Sequence, residues 1–309
     1  MSQPSQQPPL PLKDYQKPWE SYEQQIQRLQ GYGLIVNDPA TAVKCLAHLN
    51  YYRFSGYCLA FEQSRHHLVP GTTFEQVWAA YEFDRLLRDL VTEALEAAEV
   101  EFRTAVAYHY GKNHGAFGHT SPAGFFHAFD HPQWLTKLHD ETERSSELFV
   151  DHFRKTYRQY PDLPVWVAME LVSFGALSQM YSGMLKPDQK AICSRYGLQP
   201  ADLGAWMHHF VYVRNLCAHH ARLWDRVWAV KLTLPSAAAW RPPYLPGNDR
   251  LFATLLALNV ILRRCPAVAA FTTEWRGRVE ALLANVPAVP DALGKMGLTA
   301  HWQGHPLWR

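Results

Sequence analysis

Apolar residues recur three and four positions apart along most of this chain, with polar residues between them, which is the spacing of amphipathic helices. Ser21 and Gln24 have the form of a capping box ahead of QQIQRLQGYG. Asp38-Pro39 pairs an N-cap residue with proline at the first helical position and opens TAVKCLAHL. NYYRFSGYCLAFE, from Asn50, predicts a third helix that is interrupted or ends near Gly56. Thr73 and Gln76 repeat the capping signature before the longest periodic segment, FEQVWAAYEFDRLLRDLVTEALEAAEVEFRTAVAYHYG. Its apolar stripe runs through Val77, Tyr81, Leu87, Val91, Ala98 and Phe102, and Gly111 is its expected stop. Residues 112–131 are rich in Gly and His and predict a loop with a short helix. A polar helix through QWLTKLHDETERSSELF follows, then a buried one through PVWVAMELVSFGALSQMYSGM and a short one at DQKAICSRYG. A further helix starts near Asp202. PSAAAWRPPYLPGND reads as a linker or long loop, followed by helices at 249–264 and 272–285 and an irregular tail. No alternating Val/Ile/Thr-rich strands and no internal repeat are evident. The expectation is an all-α fold with a tail at 1–14, a main helical domain at 15–234, and a Pro-rich linker with a helical extension at 235–309.

Composition narrows the class. Of 309 residues, 48% are hydrophobic and 13% aromatic, enough for a packed core. The net charge is only +2, so a dominant basic field is absent and any nucleic-acid contact must come from a local patch. Five cysteines, an odd number at wide spacing without a CxxC pair, read as a reducing compartment, and the expected location is the cytoplasm. No apolar run reaches 18 residues, so no membrane span is expected. The start, MSQPSQQPPLPL, lacks the basic and apolar regions of a secretory signal and reads as a disordered tail.

The stretch VRNLCAHHARLWDR (213–226) concentrates the candidate chemistry. At about 100° per residue, a helix through it lines up His208, Tyr212, Asn215, His219, Arg222 and Arg226 on one polar stripe. His209, Val213, Leu216, Cys217, His220 and Trp224 fall on the opposite, mainly apolar face. The twin histidines are thereby separated: His219 joins the polar stripe and His220 is read as a core histidine. Arg214 lies on the flank, and Ala218 and Ala221 beside it leave room for a second helix, from this chain or another. Arg with His suits phosphodiester cleavage. The guanidinium neutralises charge developing on phosphate, and the imidazole takes or gives a proton at a ribose or leaving oxygen. RNA supplies its own 2′-hydroxyl nucleophile, so no metal and no cofactor are required.

RNLCAHH is one form of the R-x4–6-H motif of HEPN ribonucleases. The flanks KPWESYEQQIQRLQGYGLIV, LNYYRFSGYCLAF, YEFDRLLRDL, EVEFRTAVAYH, LPVWVAMELVSFGALSQMYSGM and FVYVRNLCAHHARLWDR occur in that order. Together they resemble the bacterial Abi-like family, the AbiD/AbiF type of abortive-infection protein, over residues 15 to 232. The resemblance implies a HEPN-like helical bundle, a homodimer whose two motifs meet in one metal-independent ribonuclease site, and a role in phage defence. It also implies a 2′,3′-cyclic phosphate product and a structured non-coding RNA as a partner. Carried over residue by residue, Arg214 binds phosphate, Asn215 assists and His219 transfers the proton.

Other patterns compete. Arg103 and His109 repeat the spacing, but Glu99 four residues ahead of Arg103 makes a helix-surface ion pair the simpler account, with Arg103 left as a supporting candidate beside His208, Tyr212, His220, Arg222 and Arg226. Cys217, His220 and His209 share a face, yet no further ligands at metal spacing accompany them. Glu93, Glu96 and Glu99 read as a solvated face, and the aromatic residues Tyr51, Tyr52, Phe54, Trp224 and Trp228 as packing. GALSQMYSGM lacks the order of a phosphate-binding loop. Two functional classes stay open: a HEPN ribonuclease toxin, and a non-catalytic HEPN-type RNA-binding or interaction module. A chain held inactive by a nucleotidyltransferase is a third.

Overall fold

The computed structural model describes residues 14–309, so nearly all of the expected N-terminal tail lies outside the described residues. The fold is all-α and divides into two compact units at Trp78/Ala79.

In the first unit, α1 (Tyr22–Gly31) starts at the Ser21/Gln24 box, with both reciprocal bonds formed. α2 (Pro39–Leu49) is capped by Asp38, whose side chain accepts the Thr41 N–H. α3 (Tyr51–Cys58) is capped by Asn50 and ends close after Gly56, as expected, where a 3-10 turn at Leu59–Phe61 takes over. Ile26, Leu29, Leu46, Phe54 and Phe74 are buried, and Phe54 and Phe74 stack with centroids 4.6 Å apart. A two-stranded hairpin, β1 (Glu62–Ser64) and β2 (His67–Leu68), is the one element here that the periodicity does not announce. It is too short and polar to alternate visibly, and its two-residue turn, Arg65-His66, uses a left-handed histidine (φ 63°) instead of glycine.

The longest helix, α4 (Phe74–His114), begins at the Thr73/Gln76 box. It passes through the expected stop at Gly111 and ends at Gly115, which has φ +73°. Gly111 serves a different purpose. A Cβ there would meet Val165 Cγ1 at 3.2 Å and the Trp166 ring at 3.4 Å, so the missing side chain lets α7 (Val165–Leu171) approach closely. The loop after α4 holds two short 3-10 turns. The expected polar helix is two, α5 (His131–Arg144) and α6 (Leu148–Thr156), because the chain turns extended at Ser145 and Glu147. The expected buried helix is also two, α7 and α8 (Phe174–Gly183): Val172 is extended and Ser173 caps the next N–H groups instead of continuing the helix.

α9 (Lys186–Cys193) and α10 (Pro200–Ala218) follow, and α10 packs on α8 and α9. Phe102 of α4 stacks on Phe174 of α8 and Phe210 of α10, and meets the Tyr196 ring edge-on. After the irregular 219–250 segment come α11 (Leu251–Leu262), α12 (Ala269–Leu283) and the short α13 (Ala292–Lys295). α11 is almost wholly apolar because it is buried on nearly every side, with the buried polar Thr254 and Asn259 hydrogen-bonded. The C-terminal segment is joined to α4: Trp275 Nε1 donates to the Leu90 carbonyl at 2.9 Å, and Arg278 pairs bidentately with Glu93. Among the described residues no single helix is long and apolar enough to cross a membrane.

Two core histidines set a pH limit on the second unit. His119 and His209 are fully buried, and burial pushes both imidazoles down to about 4 from the ordinary 6.5. Burial keeps His209 neutral although its Nδ1 faces the Val230 carbonyl at 2.7 Å, and its Nε2 lies 2.9 Å from the Thr254 hydroxyl. Unfolding releases each ring to take up a proton between pH 6.5 and 4, so acid favours the unfolded chain in that window. The melting temperature is expected to fall as pH drops from 6.5 toward 4, and His209→Gln, which has no ring to protonate, should make the slope shallower.

Candidate functional site

α10 is aligned by its buried face, which includes Leu203, Trp206, Phe210, Val213 and Cys217. Arg214 and Asn215 occupy its last full turn. The helix then stops at Ala218, so the extrapolated stripe does not extend to Arg222 or Arg226. The stop is a Schellman motif: the Ala221 N–H bonds back to the Leu216 carbonyl at 2.8 Å and the His220 N–H to the Cys217 carbonyl at 2.9 Å. His220 takes the left-handed position of that motif, with φ 53°. This corrects its assignment to the core. The wheel assumed the helix continued, whereas the reversed backbone carries the His220 side chain to the surface. His219, the C-cap residue, is exposed as well, one turn beyond the exposed Asn215, whose carbonyl accepts the His219 N–H at 3.0 Å.

Four residues after the cap the chain is anchored again. Asp84 of α4, wholly buried, accepts the backbone N–H groups of Leu223 and Trp224, both at 2.9 Å, through Oδ1. Its Oδ2 accepts from Arg88, itself 6% exposed, at 2.5 Å. Leu223 and Trp224 are fully buried beside this anchor. The loop 219–222 is thus strung between the helix cap and a buried carboxylate. Arg222 and Arg226 are half-buried in the loop region, joined where Arg226 Nε donates to the Arg222 carbonyl at 2.6 Å.

Arg214 faces α4. Its Nε lies 4.0 Å from Glu99 Oε2, while the other Glu99 oxygen accepts from Arg103 Nη2 at 2.5 Å. Arg103 also donates to the Met169 carbonyl of α7. The expected Glu99–Arg103 pair is present, and it joins Arg214 rather than standing apart. One carboxylate shared by two guanidinium groups leaves net positive charge at the α4–α10 edge. The Arg214 side chain is 36% exposed, so that charge is reachable from solvent.

The other candidates disperse. His208 is exposed and lines a shallow cavity of about 530 Å³ between α8 and α10, with Ser178 and Gln179. The Tyr212 hydroxyl accepts the Ala229 N–H at 3.3 Å, and its ring meets Trp228 edge-on. His209 has both nitrogens engaged and His220 points outward, so neither joins Cys217 as a ligand. Burial pushes the Cys217 thiol up to about 11, leaving it protonated and inert at neutral pH. Among the described residues no group of three His, Cys, Asp or Glu side chains is placed to hold a metal ion. Asp84 and Arg88 position the chain after α10, a role that no sequence motif announces. The helical pattern still carries a signal: a carboxylate three residues after Tyr81 and seven before Val91 sits on the core face, with an arginine four residues on to accompany it.

A protein-family model described as Abi-like protein matches residues 44–225, a span that includes Asp84, Glu99, Arg214 and His219. No curated protein and no solved structure matches the chain.

Two outcomes test this local account. Asp84→Ala leaves two buried N–H groups and a buried arginine without their acceptor, and is expected to cost about 3–5 kcal/mol in denaturant unfolding. At residue 220, alanine and glycine both remove the imidazole but only glycine suits a left-handed φ. His220→Gly should therefore be more stable than His220→Ala by about 1 kcal/mol, read as the difference in chemical-denaturation free energy.

Proposed function

The chain belongs to the Abi-like protein family, and on that premise we propose that it is a metal-independent HEPN-type endoribonuclease of phage defence by abortive infection, acting in the cytoplasm. RNA is cut at a composite site to which two copies of the chain each contribute Arg214, Asn215 and His219. The observation that carries this reading is the end of α10: the solvent-reachable Arg214 guanidinium in its last turn and the exposed His219 at its C-cap flank Asn215, and the chain beyond the cap is anchored by Asp84.

In the proposed reaction one His219 takes the proton from a ribose 2′-hydroxyl. The 2′-oxygen attacks the adjacent phosphorus, and the bond to the 5′-oxygen breaks. The second copy's His219 gives that oxygen its proton. The products are a 2′,3′-cyclic phosphate and a free 5′-hydroxyl, with no net uptake of protons. Arg214 meets the charge that builds on the non-bridging oxygens, and Asn215 orients phosphate or imidazole. Arg103 supports the site through Glu99.

A second reading is a non-catalytic RNA-binding module that holds a structured non-coding RNA, with the solvent-reachable Arg214 and the exposed His219 meeting phosphate without proton transfer. The two separate on incubation of purified protein with end-labelled RNA in EDTA. The nuclease reading expects cleavage that persists with the chelator, yields cyclic phosphate ends, and falls by about 10²–10⁴-fold in His219→Ala and markedly in Arg214→Ala. Cleavage surviving both substitutions, or lost with EDTA, overturns it. Binding without cleavage by the wild-type dimer favours the module.

A further inference from the structure

The first unit holds a cavity of about 720 Å³, within the roughly 300–1,000 Å³ common for ligand sites. The segment before α1, α1 itself, the start of α3 and the β1–β2 turn surround it. Six rings line it: Tyr15, Trp19, Tyr32, Tyr51, Tyr52 and the imidazole of His66. Three of these rings are uncovered, Tyr15 at 83%, Trp19 at 85% and Tyr52 at 86% exposure. Large rings left in water at this density have a cost unless something stacks on them. His66 sits at the hairpin turn with φ 63°, where glycine or asparagine is more at ease, and its ring stacks on Tyr32 with centroids 4.6 Å apart. The turn thus keeps an aromatic ring on the cavity wall at some expense in backbone energy.

Cations are interleaved with the rings. Arg28 is held by Glu20, whereas Lys17 and Arg65 are exposed and make no ion pair among the described residues. Aliphatic surface is scarce: of the lining leucines, Leu29 and Leu68 are buried and only Leu59 is exposed. A protein partner would call for a continuous apolar centre. Separate rings with the exposed Lys17 and Arg65 between them, against the two carboxylates Glu20 and Glu62, match the alternation of flat bases and phosphates in an unpaired nucleic-acid strand.

We propose that this cavity binds a single-stranded nucleic acid, with Trp19 and Tyr52 stacking on bases and Lys17 and Arg65 meeting the phosphates. The site shares no residue with Arg214, Asn215 and His219 and does not rest on the nuclease reading.

The test is fluorescence anisotropy with labelled oligo(U) and oligo(dT) of about 12 nucleotides, within the site sizes of such surfaces. The full chain carries His219→Ala so that the RNA probe is not consumed. Trp19→Ala and Tyr52→Ala are each expected to raise Kd about tenfold. Trp19→Phe and Tyr52→Phe, which keep a ring, should stay near the parent. Arg65→Gln should flatten the dependence of Kd on salt. Tighter binding of oligo(U) than oligo(dT) assigns RNA as the ligand, and equal binding assigns stacking without reading of the sugar; both support the proposal. No binding of either oligonucleotide, a Kd unchanged in both alanine variants, equal loss in the phenylalanine variants, or binding only of a protein partner overturns it. Cleavage in EDTA is read separately, so either proposal can fail alone.

Discussion

The arrangement around α10 depends on one buried carboxylate. Asp84 lies where the helical pattern of α4 demands an apolar side chain, and it takes the kind of partners that such a place requires, among them two consecutive backbone N–H groups and the Arg88 guanidinium. A carboxylate in the core without them would be far too costly to keep charged. With them it becomes a tie between elements about 140 residues apart in sequence. Leu223 and Trp224 are drawn into the core beside it, and the direction in which the chain leaves α10 follows from that tie.

Glu99, four turns further along α4, uses the same chemistry with less burial. Its two oxygens are divided between Arg103 and Arg214, and Arg103 is steadied in turn by the Met169 carbonyl. The geometry suits an anion-binding edge. Arg214 is kept extended toward α4 by a contact long enough, at 4.0 Å, to yield to a better-placed anion. α4 therefore supplies two acidic residues with different tasks, one fixing backbone and one orienting a side chain.

Helix starts were legible in the sequence because their cause is local. Ser21/Gln24, Asp38-Pro39 and Thr73/Gln76 satisfy orphan N–H groups within four residues, and all three cap helices as expected. Helix ends were less legible. Gly111 looked like a stop, yet its lack of a side chain answers to Trp166, more than fifty residues away. Ser173 broke an apolar run that periodicity alone would continue. The end of α10 was the costliest to miss. Its left-handed residue is histidine, and nothing in the side-chain pattern distinguishes His220 from one more helical position. Arg214, Asn215 and His219 lie before the reversal, so their helical positions follow from the pattern even though the end of α10 does not. The roles of Asp84 and Glu99 needed tertiary structure, although the sight of an acidic residue on an apolar stripe is a usable warning.

The double anchoring of residues 219–222 has a further consequence. The Schellman bonds fix one end of this short span and the Asp84 oxygen fixes the other, so its four residues work as a gauge block between two clamps. One added or deleted residue must break the cap or pull Leu223 and Trp224 out of register with the core, so the span is strict in length.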